Sequence, residues 1–187
     1  HISCALIAGR LNQIGYKSRS WLGWQIPILT TGSHKASRIV KIFKNKIINY
    51  IKKCGIPIVT GFQGLNYENR ITTLDRGGSD ASAIMIAKFF DAEKCISDTD
   101  VEGVYTTDPN LIKKAKKIDK ISYEEMLEMA SLGSKVMQPA SIQDARLNRI
   151  NIDVKSSFIK KTGTLITKRK NINNNKIITE ITFTKND

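Results

Sequence analysis

The chain has 187 residues, 41% hydrophobic and 25% charged, the make-up of an ordinary globular protein with one sizeable core and room for the start of a second unit. No apolar run approaches the ~18 residues needed to cross a bilayer, which sets aside a membrane-spanning protein and a membrane partner. Lys+Arg 30 against Asp+Glu 17 leave a net charge of +13, but the excess is scattered Lys in a chain also rich in Ile and Asn, and the run Lys113-Lys114-Ala115-Lys116-Lys117 has no interleaved aromatics, so nucleic-acid binding is a minor reading.

The opening residues, His1 to Arg10, carry neither a starting Met nor a basic leader and resemble no signal or transit peptide. They read as the middle of a helix, so a longer parent chain is expected. Cys4, Cys54 and Cys95 are odd in number and widely spaced, with no CxxC pair and no neighbouring His. They are expected to be small buried residues in a reducing compartment such as the cytoplasm.

In chain order, residues 3–14 have the apolar spacing of a helix end, stopped by Gly15. Ser20 to Gln25 lead into a strand-like Ile26-Pro27-Ile28-Leu29-Thr30. A short amphipathic helix is expected over 45–53, with Ile47, Ile48 and Ile51 on one side and Cys54-Gly55 ending it. Ile56 to Thr60 read as a short buried strand, and Gly61-Phe62-Gln63-Gly64 as the turn at its carboxyl end. Ile71 to Leu74 are extended, Arg76 to Asp80 turn, and 81–90 form a strongly apolar helix. Lys94 to Ser97 return as a strand, followed by a loop through Pro109. The spacing Ser122-x-x-Glu125 is a capping box opening a helix to about Leu132, closed by Gly133. A further helix is expected from about Ser134 to Arg149, then a strand over Ile152 to Ser156. Strands alternating with helices in this way predict an α/β layered domain with a largely parallel sheet. Beyond Gly163 the character changes: Lys168 to Lys176 suit a linker, and Ile177 to Thr184 alternate as a strand.

Two loops carry candidate chemistry. In Arg76-Gly77-Gly78-Ser79-Asp80, paired glycines between a strand and a helix let the backbone approach a ligand and turn its amides inward. Ser79 or Asp80 can cap the helix, whose N-terminus favours an anion, and Arg76 adds a planar donor fork for carboxylate or phosphate. A tight turn before a capped helix, with Arg76 on the surface, fits the same spacing equally well. The second loop, Asp98 to Pro109, follows a strand whose carboxyl end lines the ligand crevice of an open parallel sheet. Its carboxylates, hydroxyls and Tyr105 suit a nucleotide and its metal, though from spacing alone an ordinary acidic turn ended by Pro109 is the stronger reading. Lys135, just after Gly133, can reach phosphate oxygens as a point charge; in so Lys-rich a chain a solvated role is the simpler one.

Together these segments resemble the aspartokinases of the amino-acid kinase family. The likeness is carried by Ser20-Trp21-x-Gly23-Trp24-Gln25, Gly61-Phe62-Gln63-Gly64 and Ile71-Thr72-Thr73-Leu74-x-Arg76-Gly77-Gly78-Ser79-Asp80. It continues in Thr99-Asp100-Val101-x-Gly103-Val104-Tyr105-Thr106-Thr107-Asp108-Pro109, Ile121 to Met126, Ala130 to Gly133, Ser156-Ser157-Phe158 and Gly163 to Ile166. The resemblance runs through residues 3–166. It implies a three-layer αβα kinase domain over 1–166, truncated, and over 167–187 a linker and the first strand of an ACT-type regulatory domain. It further implies transfer of the γ-phosphoryl group of ATP, with Mg2+, to the side-chain carboxylate of L-aspartate, in a cytoplasmic enzyme that is a homo-oligomer at full length. By the family pattern Arg76 grips an aspartate carboxylate, Gly77 and Gly78 supply amides, Asp80 meets the amino group or organises the site, and Ser79 sits between substrate and nucleotide. Thr99, Asp100, Tyr105, Thr106, Asp108 and Pro109 line the ATP site, with Lys135 and Val136 approaching its phosphates or base. No dedicated protein metal site is implied.

The chain departs from that pattern in places. Asp75 stands where the family has Gly, which either strains the turn or sets a charge beside the substrate. Asn110 replaces an Arg, Gln138 and Ala140 a His and an Arg, and Glu102 an Asp. The family's opening Lys-Phe-Gly-Gly segment, whose Lys contacts the transferring phosphate, has no counterpart here, so these 187 residues alone are expected to show little or no kinase activity. The competing reading is an inactive remnant or a nucleotide-binding regulatory piece.

Overall fold

The computed structural model describes residues 1–168 except Ser33, Lys35 and Lys135. The expected linker over 168–176 (all but Lys168) and the strand Ile177 to Thr184 lie outside the described residues. The chain divides into two compact units, one from His1 to Phe90 and one from Asp91 onward.

In the first unit the elements run α1 (Ile2–Gln13), β1 (Ser18–Trp21), β2 (Ile28–Thr30), β3 (Ile39–Ile42), α2 (Asn45–Lys52), β4 (Ile56–Val59), β5 (Gln63–Leu65), β6 (Ile71–Thr73) and α3 (Gly78–Phe89). β1 and β4 pair in parallel from Ser18↔Ile56 to Trp21↔Val59. A second sheet has the order β3-β2-β5-β6, with β2 parallel to β5 and the β3 and β6 edges antiparallel. The core gathers Trp21, Ile26, Ile28, Ile42 and Ile47, against which Tyr50, Val59, Met85, Ile86 and Phe89 pack. The α2 face is therefore Ile47 with Tyr50. Ile51, expected beside Ile47, is exposed, and Tyr50 packs against the core instead.

Several expectations change here. Gly61 to Gly64 are not simply a turn, since Gln63 and Gly64 belong to β5 and pair with Thr73 and Thr72. Ile56 is exposed rather than buried. Cys54 is exposed too, and ends α2 with a positive φ of 56°.

The second unit holds β7 (Lys94–Thr99), β8 (Lys120–Ser122), α4 (Tyr123–Ser131), α5 (Pro139–Asn148), β9 (Asn151–Ser156) and β10 (Thr164–Thr167). Its sheet has the order β7-β9-β10-β8. β7 and β9 are parallel, as are β10 and β8, while β9 and β10 are antiparallel. Parallel strands buried on both faces are built from β-branched runs, and Ile121, Ile152, Val154 and Ile166 are all buried here. The capping box forms as expected. The Ser122 hydroxyl accepts the Glu125 amide at 3.2 Å, and the Glu125 carboxylate accepts the Ser122 amide at 3.0 Å. α5 starts later than Ser134, at Pro139, because Pro is suited to the first helical position and Gln138 is held extended before it.

Candidate functional site

In the first unit the site is built at the start of α3. β6 delivers the chain to Leu74, whose amide donates to Phe62 O at 3.0 Å, and the chain reverses through Asp75, Arg76 and Gly77. Gly77 is left-handed, with φ 77°, a conformation that costs a side-chain-bearing residue about 1–2 kcal/mol. Gly78 is required for a different reason: a Cβ there would lie 2.7 Å from Leu74 Cβ and 2.9 Å from Phe62 Cδ2. The helix's N-cap is Gly77, with no side-chain cap bond. Ser79 and Asp80, expected as caps, instead lie inside the first turn, because the left-handed glycine ends the turn two residues earlier.

The first helical bond runs from the Ala81 amide to Gly77 O at 3.1 Å. The amides of Ser79 and Asp80 precede it and have no helical acceptor, and the dipole adds partial positive charge, so the turn presents donors to an anion. Arg76 and Ser79 are exposed beside it, and Asp80 is half-buried. Burial raises the Asp80 carboxyl above the ordinary aspartate range. Asp75 does not strain the turn; its φ is not positive, and its carboxylate accepts the Arg76 amide at 2.7 Å.

Ser82 was not singled out in the sequence, although a polar residue on so apolar a helix is a signal. Its buried hydroxyl accepts the Phe62 amide at 3.0 Å and donates to Gly78 O at 2.7 Å. That one group fastens the turn after β4 to the beginning of α3. The neighbouring Thr60 hydroxyl is buried without a hydrogen-bond partner, as is the Trp21 indole N–H.

In the second unit the candidate loop leaves β7 at Thr99, whose hydroxyl donates to Asp100 Oδ1 at 3.1 Å. Gly103 has φ 150°, and a Cβ there would meet the Thr164 hydroxyl at 2.6 Å. Val104 is fully buried, and its amide donates to that same hydroxyl at 2.8 Å. Tyr105 bridges to Lys117, and Thr106 is bonded to Lys116 through both its amide and its hydroxyl. Asp108 accepts the Asn110 amide at 2.8 Å, which shapes the turn that follows Pro109. Thr106 and Asp108 thus help hold the loop's own geometry, while Thr99 ends β7 and Asp100 follows it directly. Glu102 pairs with Lys161 at 3.3 Å, and Asp98 with Lys155 at 3.9 Å. Val136 is half-buried before α5, whereas Lys135 lies outside the described residues. Among the described residues no three His, Cys, Asp or Glu side chains gather to hold a metal, and no helix is long and apolar enough to cross a membrane.

Residues 1–156 match the sequence model of the amino acid kinase family. The chain belongs to that family. Its sequence is 42% identical to the aspartokinase of Rickettsia felis over 186 residues, 99% of this chain and 46% of that protein. It is 41% identical to the aspartokinase of Geobacillus stearothermophilus over 182 residues, 97% of this chain and 45% of that one. The chain spans about half the length of the curated relatives it matches. The structure is similar to that of E. coli aspartokinase III in complex with aspartate and ADP, with TM-score 0.82, 30% identity, and coverage of 90% of this chain and 39% of that one. UMP kinase from Bacillus anthracis, with TM-score 0.66 and 17% identity, shares the fold alone. The likeness to aspartokinases and the mixed α/β amino-acid kinase fold, both read from the sequence, are borne out.

Proposed function

We propose that this family member carries part of an aspartokinase, which transfers the γ-phosphoryl group of ATP to the side-chain carboxylate of L-aspartate and gives 4-phospho-L-aspartate, the first step towards lysine, threonine and methionine. The observation that carries the reading is the Arg76-Gly77-Gly78 turn, left-handed at Gly77 and opening onto the first-turn amides of Ser79 and Asp80, which have no helical acceptor, in a chain 42% identical to an aspartokinase. A solved structure of a similar protein is named as a complex with aspartate and ADP.

In this reading Arg76 grips an aspartate carboxylate, the turn's amides receive its oxygens, and Asp80 faces the amino group. Thr99, Asp100, Tyr105, Thr106, Asp108 and Pro109 line the nucleotide site, with Lys135 and Val136 towards the phosphates or base. The attacking carboxylate needs no general base, since with a pKa near ~4 it is already ionised at neutral pH. The protein's work is alignment and neutralisation of charge on the transferring group, which is why the candidate residues are glycines, hydroxyls and cations. Mg2+ would come on the phosphates of ATP, where it offsets their charge.

Residues 1–166 belong, in this reading, to the catalytic domain, and 167–187 begin a regulatory one. A cytoplasmic homo-oligomer is the corresponding whole protein. The test is aspartate-dependent ADP release by a protein of the relatives' full length carrying this sequence. Turnover that is lost without aspartate supports the reading; binding of ATP with no turnover on aspartate rejects it.

A further inference from the structure

We propose that Phe158 is a stacking platform for the base of the nucleotide, an inference that rests on the nucleotide-binding reading of the Thr99 loop. β7 and β9 are parallel and in step from Lys94↔Asn151 to Thr99↔Ser156, so their carboxyl ends finish level. The Ser157 amide donates to Thr99 O at 2.8 Å. The segment after β9 therefore begins directly beside Thr99 and Asp100, at the end of the sheet where ligands of parallel α/β folds sit.

This segment is anchored rather than loose. The Ser156 hydroxyl accepts the Phe158 amide at 3.2 Å. On the return side Lys161 pairs with Glu102 at 3.3 Å, and Lys117 donates to Thr162 O. Both latter partners lie in the stretch between β7 and β8, so the two loops are tied to each other. Between these anchors the Phe158 side chain is 81% exposed, the most exposed large hydrophobic among the described residues. A phenyl ring exposed on an anchored loop offers an apolar face on which another flat ring can stack. The other aromatic of the pair of loops, Tyr105, is half-buried and held in a bridge to Lys117. A base stacked on Phe158 would gain a platform that tolerates any purine edge, with the polar Thr99 and Asp100 available for the sugar.

The experiment is calorimetric titration of the 187-residue chain with Mg-ATP and, separately, with magnesium tripolyphosphate, for the wild type, Phe158→Ala and Phe158→Trp. Circular dichroism checks that each variant is folded. Phe158→Ala is expected to weaken Mg-ATP about tenfold, to leave tripolyphosphate unchanged because it has no base, and to be rescued by Phe158→Trp. Equal Mg-ATP affinity for wild type and Phe158→Ala would overturn the stacking role while leaving the nucleotide reading intact. Equal weakening of tripolyphosphate would also overturn it, since the effect would then not act through the base. A folded wild-type chain that binds no Mg-ATP would remove the nucleotide reading and this inference together.

Discussion

The Thr164 hydroxyl accepts the Val104 amide at 2.8 Å and donates to Ile118 O at 2.5 Å, joining the two ends of the loop between β7 and β8 to the first residue of β10. Thr164 and Val104 are completely buried, so the Val104 amide cannot turn to water if the hydroxyl is removed. Thr164→Val keeps the shape and deletes both bonds, and is expected to destabilise the chain by about 1–3 kcal/mol. Urea unfolding measures this as a lower midpoint at unchanged slope; an unshifted midpoint would show that the hydroxyl does not hold the loop.

Arg76 is exposed at the turn before α3, and among the described residues only its backbone is engaged, by the Asp75 carboxylate. Replacing it with Ala should therefore leave folding intact. In a full-length protein, loss of a charge-assisted contact worth about 1.5–3 kcal/mol lowers kcat/KM for aspartate roughly ten- to a hundredfold, with little change for ATP. Steady-state kinetics with each substrate varied decides the matter, and equal losses for both would reject the assignment.

Gly78 sits where a Cβ would press on Leu74 and Phe62. Gly78→Ala forces the turn apart, at a cost of about 1–3 kcal/mol. Thermal unfolding should register it, whereas Gly9→Ala, with open space around its Cβ, serves as the harmless control and gains helix propensity. A Gly78→Ala variant as stable as its parent would mean the close approach is not fixed.

Burial raises the Asp80 pKa, so the folded protein binds that proton more tightly than the unfolded chain. The stabilising effect of protonation is complete below the ordinary aspartate pKa of ~4 and is lost as pH rises through the folded value. At neutral pH the ionised carboxylate is thus a cost. Asp80→Asn should raise the melting temperature at pH 7 relative to its parent and make little difference well below ~4. A difference that instead grows on acidification would contradict burial as the cause.

Much of the layout was legible because it rests on local chemistry. The capping box at Ser122 and Glu125 and the glycine stops after α1 and α4 are written in adjacent residues. Short edge elements were not. β3 and β8 contain Lys as well as Ile, and β5 is Gln-Gly-Leu; each is extended because of partners far along the chain, such as Thr73 for Gln63. The turn before α3 was legible through the paired glycines Gly77 and Gly78. The helix start was displaced because a left-handed Gly77 leaves no room for the side-chain cap that Ser79 suggested. The bonding partners of Thr164 and Ser82 are not written in the sequence, since a single hydroxyl meets them only once distant segments come together.

Ser82 imposes a constraint on redesign. With one oxygen clasping the backbones of Phe62 and Gly78, the hairpin entry and the helix entry form a single mechanical part. Anyone redesigning this turn would have to recut both pieces at once, or first replace the clasp.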